Sequence, residues 1–227
     1  MKYRAVLIDI DDTLFDFRKS SFEALVQTFS EIGRTFTWED MPKYEVYNNK
    51  MWRMFELGEI EKSEIFERRF REYFDFAGIE ADIPWFNRTY LHNLAEGRNF
   101  KPHAEELLQA LHGKYKVFVV TNGDTYAQER RLDLSGFRPY FDGVFISEQM
   151  GVQKPRKEFF DKVFETVGEE YRTCSLMVGD SLSSDMQGGR NAGIPTCFYG
   201  SPEKADERCD YVITDLLGLL PILEAES

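Results

Sequence analysis

Residues Tyr3 to Phe15 read YRAVLIDIDDTLF, an apolar run that stops abruptly at three carboxylates and a threonine. Ala5-Val6-Leu7-Ile8 is short, continuous and partly β-branched, the pattern of a strand buried on both faces in a parallel sheet rather than of an amphipathic helix. Asp9 and Asp11 then stand two residues apart, at the carboxyl end of that strand, where open parallel sheets place their ligand crevices. Like charges this close repel by on the order of 4 kcal/mol at about 4 Å in an effective dielectric near 20. A shared proton or a cation has to compensate. By itself the segment admits two readings: an active site, or a solvated acidic turn in which Asp12 or Thr13 caps a following helix.

The rest of the chain supplies context. Ser20 to Ile32, Tyr44 to Glu56, Ser63 to Phe76 and Trp85 to Leu94 carry apolar residues at helical spacing, with breaks near Gly33, Pro42, Gly58 and Gly78 and with Ser63 placed to cap the third helix. These four helices, inserted after the first strand, predict a small second domain hinged near Phe15 to Arg18 and Gly97 to Lys101. From Pro102 onward helices and strands alternate. The predicted helices are His103 to Leu111, Tyr126 to Leu134, Lys157 to Val167 and Asp185 to Asn191, with Leu216 to Leu223 closing the chain. The predicted strands are Tyr115 to Val120, Gly143 to Ser147, Ser175 to Val178 and Thr196 to Tyr199, with Tyr211 to Ile213 at an edge. The pattern predicts an α/β fold, a doubly wound parallel sheet covered by helices on both faces. Glu224 to Ser227 is expected to fray.

Polar residues recur where these strands end. Val117 to Val120 runs into Thr121-Asn122-Gly123, Val144 to Ile146 leads on to Lys154, and Leu176 to Val178 ends in Gly179-Asp180 with Asp185 five residues further. A parallel sheet gathers such ends, so one crevice would hold Asp9, Asp11, Thr121, Lys154, Asp180 and Asp185. Four carboxylates with one lysine call for more positive charge, and Mg²⁺, a hard cation with oxygen ligands, supplies it. Such a crevice suits a phosphate, whose oxygens the metal, Lys154, Thr121 and loop amides can neutralise together. There is no Gly-rich Walker loop, no GxGxxG after the first strand and no serine elbow, so nucleoside-triphosphate, dinucleotide and serine-hydrolase chemistry lack their usual support.

Charge bears on partners. With 40 Asp and Glu against 28 Lys and Arg, the net charge is −12, which argues against nucleic-acid polymers and anionic membranes while leaving room for a local cationic pocket. No stretch is long and apolar enough to span a bilayer, and no signal-peptide core precedes the first strand, so a cytoplasmic location is expected. Cys174, Cys197 and Cys209 have no CxxC spacing, and His92, His103 and His112 no ligand spacing. All six read as structural or surface residues.

Together these motifs resemble the haloacid dehalogenase (HAD) superfamily of aspartate-nucleophile phosphohydrolases. Its DxDxT motif matches Asp9-Ile10-Asp11-Asp12-Thr13, its strand ending in Thr or Ser matches Thr121 with Asn122 beside it, its lysine matches Lys154, and its GDxxxxD motif matches Gly179-Asp180 to Asp185. The resemblance implies that Asp9 is the nucleophile and Asp11 the general acid and base. It implies that Thr121, Asn122 and Lys154 bind phosphate, and that Mg²⁺ is held by the Asp9 and Asp180 side chains and the Asp11 carbonyl. Asp185 would stand behind them, orienting water and Lys154. It also implies a catalytic core from residues 1–15 and 100–227, with residues 16–99 as a helical cap that closes over the pocket and excludes water. Dehalogenases of this superfamily lack an acid at the position of Asp11, so its presence points to phosphate esters.

Within the superfamily, Tyr47-Asn48 through Trp52, Phe55 to Gly58, Phe141-Asp142, Ile146 to Glu148, Gly151 to Pro155, Gly188-Gly189, Ala192-Gly193 and Thr196 to Phe198 are similar to the pyrimidine 5′-nucleotidases. Phe198 departs from the tryptophan expected there. A nucleoside 5′-monophosphate, pyrimidine-leaning, is the small-molecule substrate this implies. Tyr47, Trp52 and Phe55 are candidates to stack on a base, or pack the cap core at helical spacing. Glu59 lies in a cap turn that either dips toward the phosphate or joins two helices. A sugar-phosphate or phosphoglycolate-type phosphatase, and a binding protein that keeps the fold without turnover, stand as the alternatives.

Overall fold

The computed structural model describes residues 2–225. The chain divides into two compact units, one formed by Arg18–Gly97 and one by the residues on either side of it. The flanking unit is built on a parallel sheet. Its strands are β1 (Ala5–Ile8), β2 (Lys116–Thr121), β3 (Gly143–Ile146), β4 (Ser175–Gly179), β5 (Thr196–Tyr199) and β6 (Tyr211–Ile213). Among the described residues the order is β3-β2-β1-β4-β5-β6, every pair parallel. β1 is paired on both sides and fully buried, as its unbroken apolar run predicts. Ile8 is level with Val119 of β2 and Val178 of β4, which brings the residues just beyond these strands side by side.

Alternate residues of each strand feed two cores, as the two-residue period of a strand requires. Val6, Ile8, Val117, Val119, Leu176 and Val178 pack with α5 (Ala104–Leu111), α6 (Thr125–Ser135) and α10 (Leu219–Glu224) on one face. On the other, Ala5, Leu7, Phe118, Val120 and Met177 meet Phe159, Phe160, Val163 and Phe164 of α8 (Lys157–Val167). Two short helices, α7 (Ser147–Met150) and α9 (Gln187–Ala192), complete this unit.

The Arg18–Gly97 unit is helical: α1 (Phe17–Glu31), whose first residue belongs to the sheet-bearing unit, α2 (Met41–Glu56), α3 (Lys62–Ala77) and α4 (Ile83–Ala95). Its core is aromatic, with Phe29, Phe36, Tyr44, Phe70, Tyr73, Phe74, Phe86 and Tyr90 in edge and stacked contacts.

Several boundaries differ from expectation for local reasons. Pro42 opens α2 rather than breaking it, because a first-turn proline forfeits no helical hydrogen bond. Ser63 does not cap α3: Glu61 is the cap, and its backbone N–H donates to Glu64 at 2.9 Å. α1 begins at Phe17, too late for Asp12 or Thr13 to cap it. The helix expected from Asp185 to Asn191 opens earlier, in a π-helical turn Leu182–Met186 that leads into α9. Glu224 closes α10, while Glu226 and Ser227, expected to fray, lie outside the described residues. No described helix is long and apolar enough to cross a membrane.

Candidate active site

Past β1 the chain stays extended for one more residue, Asp9 donating its N–H to Val178 at 3.0 Å, and then turns sharply. Thr13, Leu14 and Phe15 all donate to the Ile10 carbonyl, and Asp12 adopts a left-handed φ of 57°, a conformation aspartate tolerates better than most residues. The Asp12 carboxylate is held by Lys101 at 2.8 Å, and Thr13 Oγ1 donates to Asp180 Oδ1 at 3.4 Å.

Lys154 is the hub. Its ammonium donates to Asp9 Oδ1, Asp185 Oδ1 and the Val120 carbonyl, each at 2.7 Å, with the residue 1% exposed. The loop that delivers it is braced by Asn122, whose Oδ1 accepts from the Lys154 N–H at 3.0 Å and whose Nδ2 donates to the Lys154 carbonyl at 2.9 Å. Asp185 is held from both sides, its other oxygen accepting from the Ser181 N–H at 3.1 Å. A Cβ on Gly179 would lie 2.1 Å from that oxygen, so the glycine of the Gly179-Asp180 turn makes room for a carboxylate. Asp9 Oδ2 has no hydrogen-bond partner among the described residues.

Asp9, Asp180 and Asp185 bring carboxylate oxygens within 4.8 Å of one another. Burial pushes the Asp9 carboxyl up to about 8; the Lys154 charge opposes the rise, and Asp185 and Asp11 add to it. Asp180 is raised in the same way, first by burial and then by the Asp185 and Asp9 charges. Burial works against the Lys154 ammonium as well, but Asp185 and Asp9 outweigh it and raise its pKa. One ammonium against three carboxylates, of which Asp9 and Asp185 are buried and Asp180 half-buried, leaves the cluster short of positive charge, and its all-oxygen donor set fits a hard divalent cation.

The charge imbalance has a measurable consequence in the metal-free protein. Folding lifts the Asp9 pKa from 3.8 to about 8, so its contribution to stability is complete below pH 3.8 and is lost as pH rises through 8. In EDTA, the melting temperature of the native chain should fall relative to that of Asp9→Asn between about pH 4 and pH 8. Parallel curves would show that Asp9 does not titrate in that window.

Thr121, buried at the end of β2, accepts from the Gly123 N–H and from Gln128 Nε2, both at 3.0 Å. Asp11 points to the same helix: Arg131 Nη1 donates to its Oδ1 at 2.6 Å and Gln128 Nε2 to its Oδ2 at 2.7 Å. Sequence reading passed over Gln128 and Arg131. Their i, i+3 spacing on α6, in line with Ala127 and Leu132, was the one available signal.

The cap residues singled out in the sequence lie in the helical unit. Phe55 is buried with Met51, Ile60 and Ile65, Trp52 packs its edge against Phe55 at 6.0 Å, and Tyr47 is half-buried beside Tyr73 and Phe76. Glu59 is exposed in the turn between α2 and α3, its N–H bonded to the Met54 carbonyl at 2.9 Å.

The chain is 37% identical over 201 residues to the pyrimidine 5′-nucleotidase YjjG of Escherichia coli, covering 88% of each protein. It is 38% identical over 200 residues to the pyrimidine 5′-nucleotidase PynA of Streptococcus pneumoniae, covering 88% of this chain and 84% of that one. The HAD-hydrolase YfnB of Bacillus subtilis is 34% identical; its orthorhombic crystal structure, bound to magnesium, matches with a TM-score of 0.93 over 99% of this chain and 100% of that one. A family model for haloacid dehalogenase-like hydrolases matches residues 3–193, most of the sheet-bearing unit and all of the helical one, and to that family the chain belongs.

Proposed function

We propose that this chain is a Mg²⁺-dependent phosphomonoesterase that works through an aspartyl-phosphate on Asp9 and takes nucleoside 5′-monophosphates, pyrimidine ones foremost. The observation that carries the reading is the buried Lys154 ammonium, held by Asp9 and Asp185 at 2.7 Å each, next to an Asp9 oxygen with no hydrogen-bond partner among the described residues. A carboxylate is a weak nucleophile, so fixed orientation and charge neutralisation have to supply most of the acceleration.

Asp9 Oδ2 would attack phosphorus, the ester P–O bond would break, and the leaving oxygen would take its proton from Asp11. Asp11 would then take a proton from water as that water attacks phosphorus, and the bond from phosphorus to Asp9 would break, releasing inorganic phosphate. The Asp9 and Asp180 carboxylates and the Asp11 carbonyl would hold the cation, with Asp185 setting Lys154. When bound, Mg²⁺ supplies positive charge that polarises the phosphoryl oxygens and eases the approach of an anionic nucleophile. Thr121 has two donors on its oxygen, which leaves its hydroxyl proton for a phosphate oxygen. Asn122, with both ends on the Lys154 backbone, is assigned to bracing rather than to phosphate contact.

The Arg18–Gly97 unit would serve as the cap and choose the leaving group. Phe55, 5% exposed among apolar neighbours, is assigned to packing. Trp52 and Tyr47, both partly exposed, are the aromatic faces offered to a base. The nucleotide preference rests on the likeness to YjjG and PynA.

A panel of phosphate esters with Mg²⁺ tests the substrate. UMP, dUMP and dTMP should exceed sugar phosphates and phosphoglycolate by about tenfold or more in kcat/KM, and EDTA should abolish turnover. Equal or better turnover of sugar phosphates would overturn the nucleotide assignment, and activity undiminished in EDTA the metal.

A further inference from the structure

We propose that Gln128 and Arg131 are positioning residues that hold the acid/base carboxylate of Asp11 in register with the phosphate-binding end of β2. The inference rests on the function proposed above and names the device that aims Asp11.

Unlike Asp9, Asp11 is not bonded to Lys154. It sits on the turn beyond β1 with its side chain 25% exposed, and left to itself such a side chain would sample several rotamers. Two buried groups on α6 remove that freedom. Arg131 Nη1 takes Oδ1 at 2.6 Å and Gln128 Nε2 takes Oδ2 at 2.7 Å, so both oxygens are engaged. Arg131 also donates from Nη1 to Gln128 Oε1 at 3.3 Å, which orients the amide. The Gln128 Nε2 that holds Asp11 is also 3.0 Å from Thr121 Oγ1. An amide NH₂ has two protons, so one group ties the carboxylate to the hydroxyl offered to phosphate.

The surroundings are built for this pair. Gln128 and Arg131 are each 1% exposed. A Cβ on Gly123 would lie 2.0 Å from Gln128 Nε2, so the glycine after Thr121-Asn122 clears the space the amide occupies. The Arg131 guanidinium lies 4.7 Å over the Phe15 ring. Its Nε and Nη2 nonetheless have no hydrogen-bond partner among the described residues. A buried guanidinium with orphan N–H groups is a poor stabiliser; its placement is explained by what it does to Asp11.

The consequence falls on the half-reaction that needs Asp11 as a base. With p-nitrophenyl phosphate the phenolate departs without a proton, so attack by Asp9 proceeds even when Asp11 is misdirected. Hydrolysis of the aspartyl-phosphate then becomes slow. In Arg131→Met and Gln128→Met, steady-state kcat should fall about 10²-fold, preceded by a burst of p-nitrophenolate of about one equivalent per enzyme and a phosphoenzyme trapped by acid quench. Arg131→Lys, which keeps one donor, should recover part of the rate. Asp11→Asn should give the same burst and serves as the control.

A fall in kcat with no burst and no trapped phosphoenzyme in either Met variant, while Asp11→Asn gives both, would mean that the pair only supports the fold. Unchanged kcat would remove the role altogether. A control that yields no phosphoenzyme would instead bring down the Asp9 chemistry, and this inference with it.

Discussion

Asp9→Asn is expected to lower kcat for phosphate ester hydrolysis by about 10⁴-fold or more while the protein stays folded. The amide has nearly the shape of the carboxylate and keeps an oxygen for Lys154, which retains Asp185 and the Val120 carbonyl as partners. It is not a nucleophile, so no aspartyl-phosphate can form. The charge ledger favours the fold as well: burial and neighbouring carboxylates already push Asp9 toward its neutral form, and asparagine is neutral at every pH. Phosphate release at saturating substrate and Mg²⁺, beside a thermal melt, makes the measurement. Activity close to native in a folded Asp9→Asn protein would remove Asp9 as nucleophile.

Lys154→Met is expected to cost both activity and stability. Loss of the fixed cation that faces the incoming phosphate should lower kcat/KM by about 10²- to 10³-fold. The same change leaves Asp9 and Asp185 buried without their shared ammonium and strips the Val120 carbonyl of its donor. Removing one member of a buried ion pair costs about 3–5 kcal/mol, because the remaining charge is uncompensated. The sign of its pH dependence follows from the same groups. Without Lys154 the Asp9 carboxyl is held still further above its ordinary range, so the deficit is smaller at low pH, where Asp9 is protonated in both proteins, and grows as pH rises through 8, where only the native carboxyl ionises. Urea denaturation in EDTA at pH 5 and pH 9 reads this directly. An equal stability deficit at both values would mean that Lys154 acts through packing rather than charge, and native kcat/KM would remove it from catalysis.

Much of this site was legible from residue order, and the reasons are local. A strand buried on both faces must be apolar without interruption, so Ala5 to Ile8, Val117 to Val120 and Leu176 to Val178 declare themselves, and the first polar residue after each marks a crevice. Asp9, Thr121, Lys154, Asp180 and Asp185 were reachable in this way, and the structure gathers Asp9 and Asp185 on the Lys154 ammonium with Asp180 beside them. Arg131 was not reachable. In Arg130-Arg131 a charged pair reads as a solvated helix face, and only packing reveals that the second guanidinium is buried against Phe15. Asn122 was legible as a polar residue at the right place but not as a brace, because its partners are backbone atoms of a loop 32 positions away. Gly123 and Gly179 read as turn residues, whereas each is small to leave space for a neighbour's polar group.

What the chain's order of residues determined by itself is the set of strands, their buried or polar ends and hence the chemical types present at the site, because strand and helix periods and side-chain chemistry are properties of short segments. What only the tertiary structure decided is the pairing: Lys154 with Asp9 across 145 positions, Arg131 with Asp11 across 120, and β1 seated between β2 and β4. Those pairings depend on the register in which parallel strands hydrogen-bond, and a shift of one residue would turn every side chain of Ala5–Ile8 to the opposite face and re-aim the turn that follows.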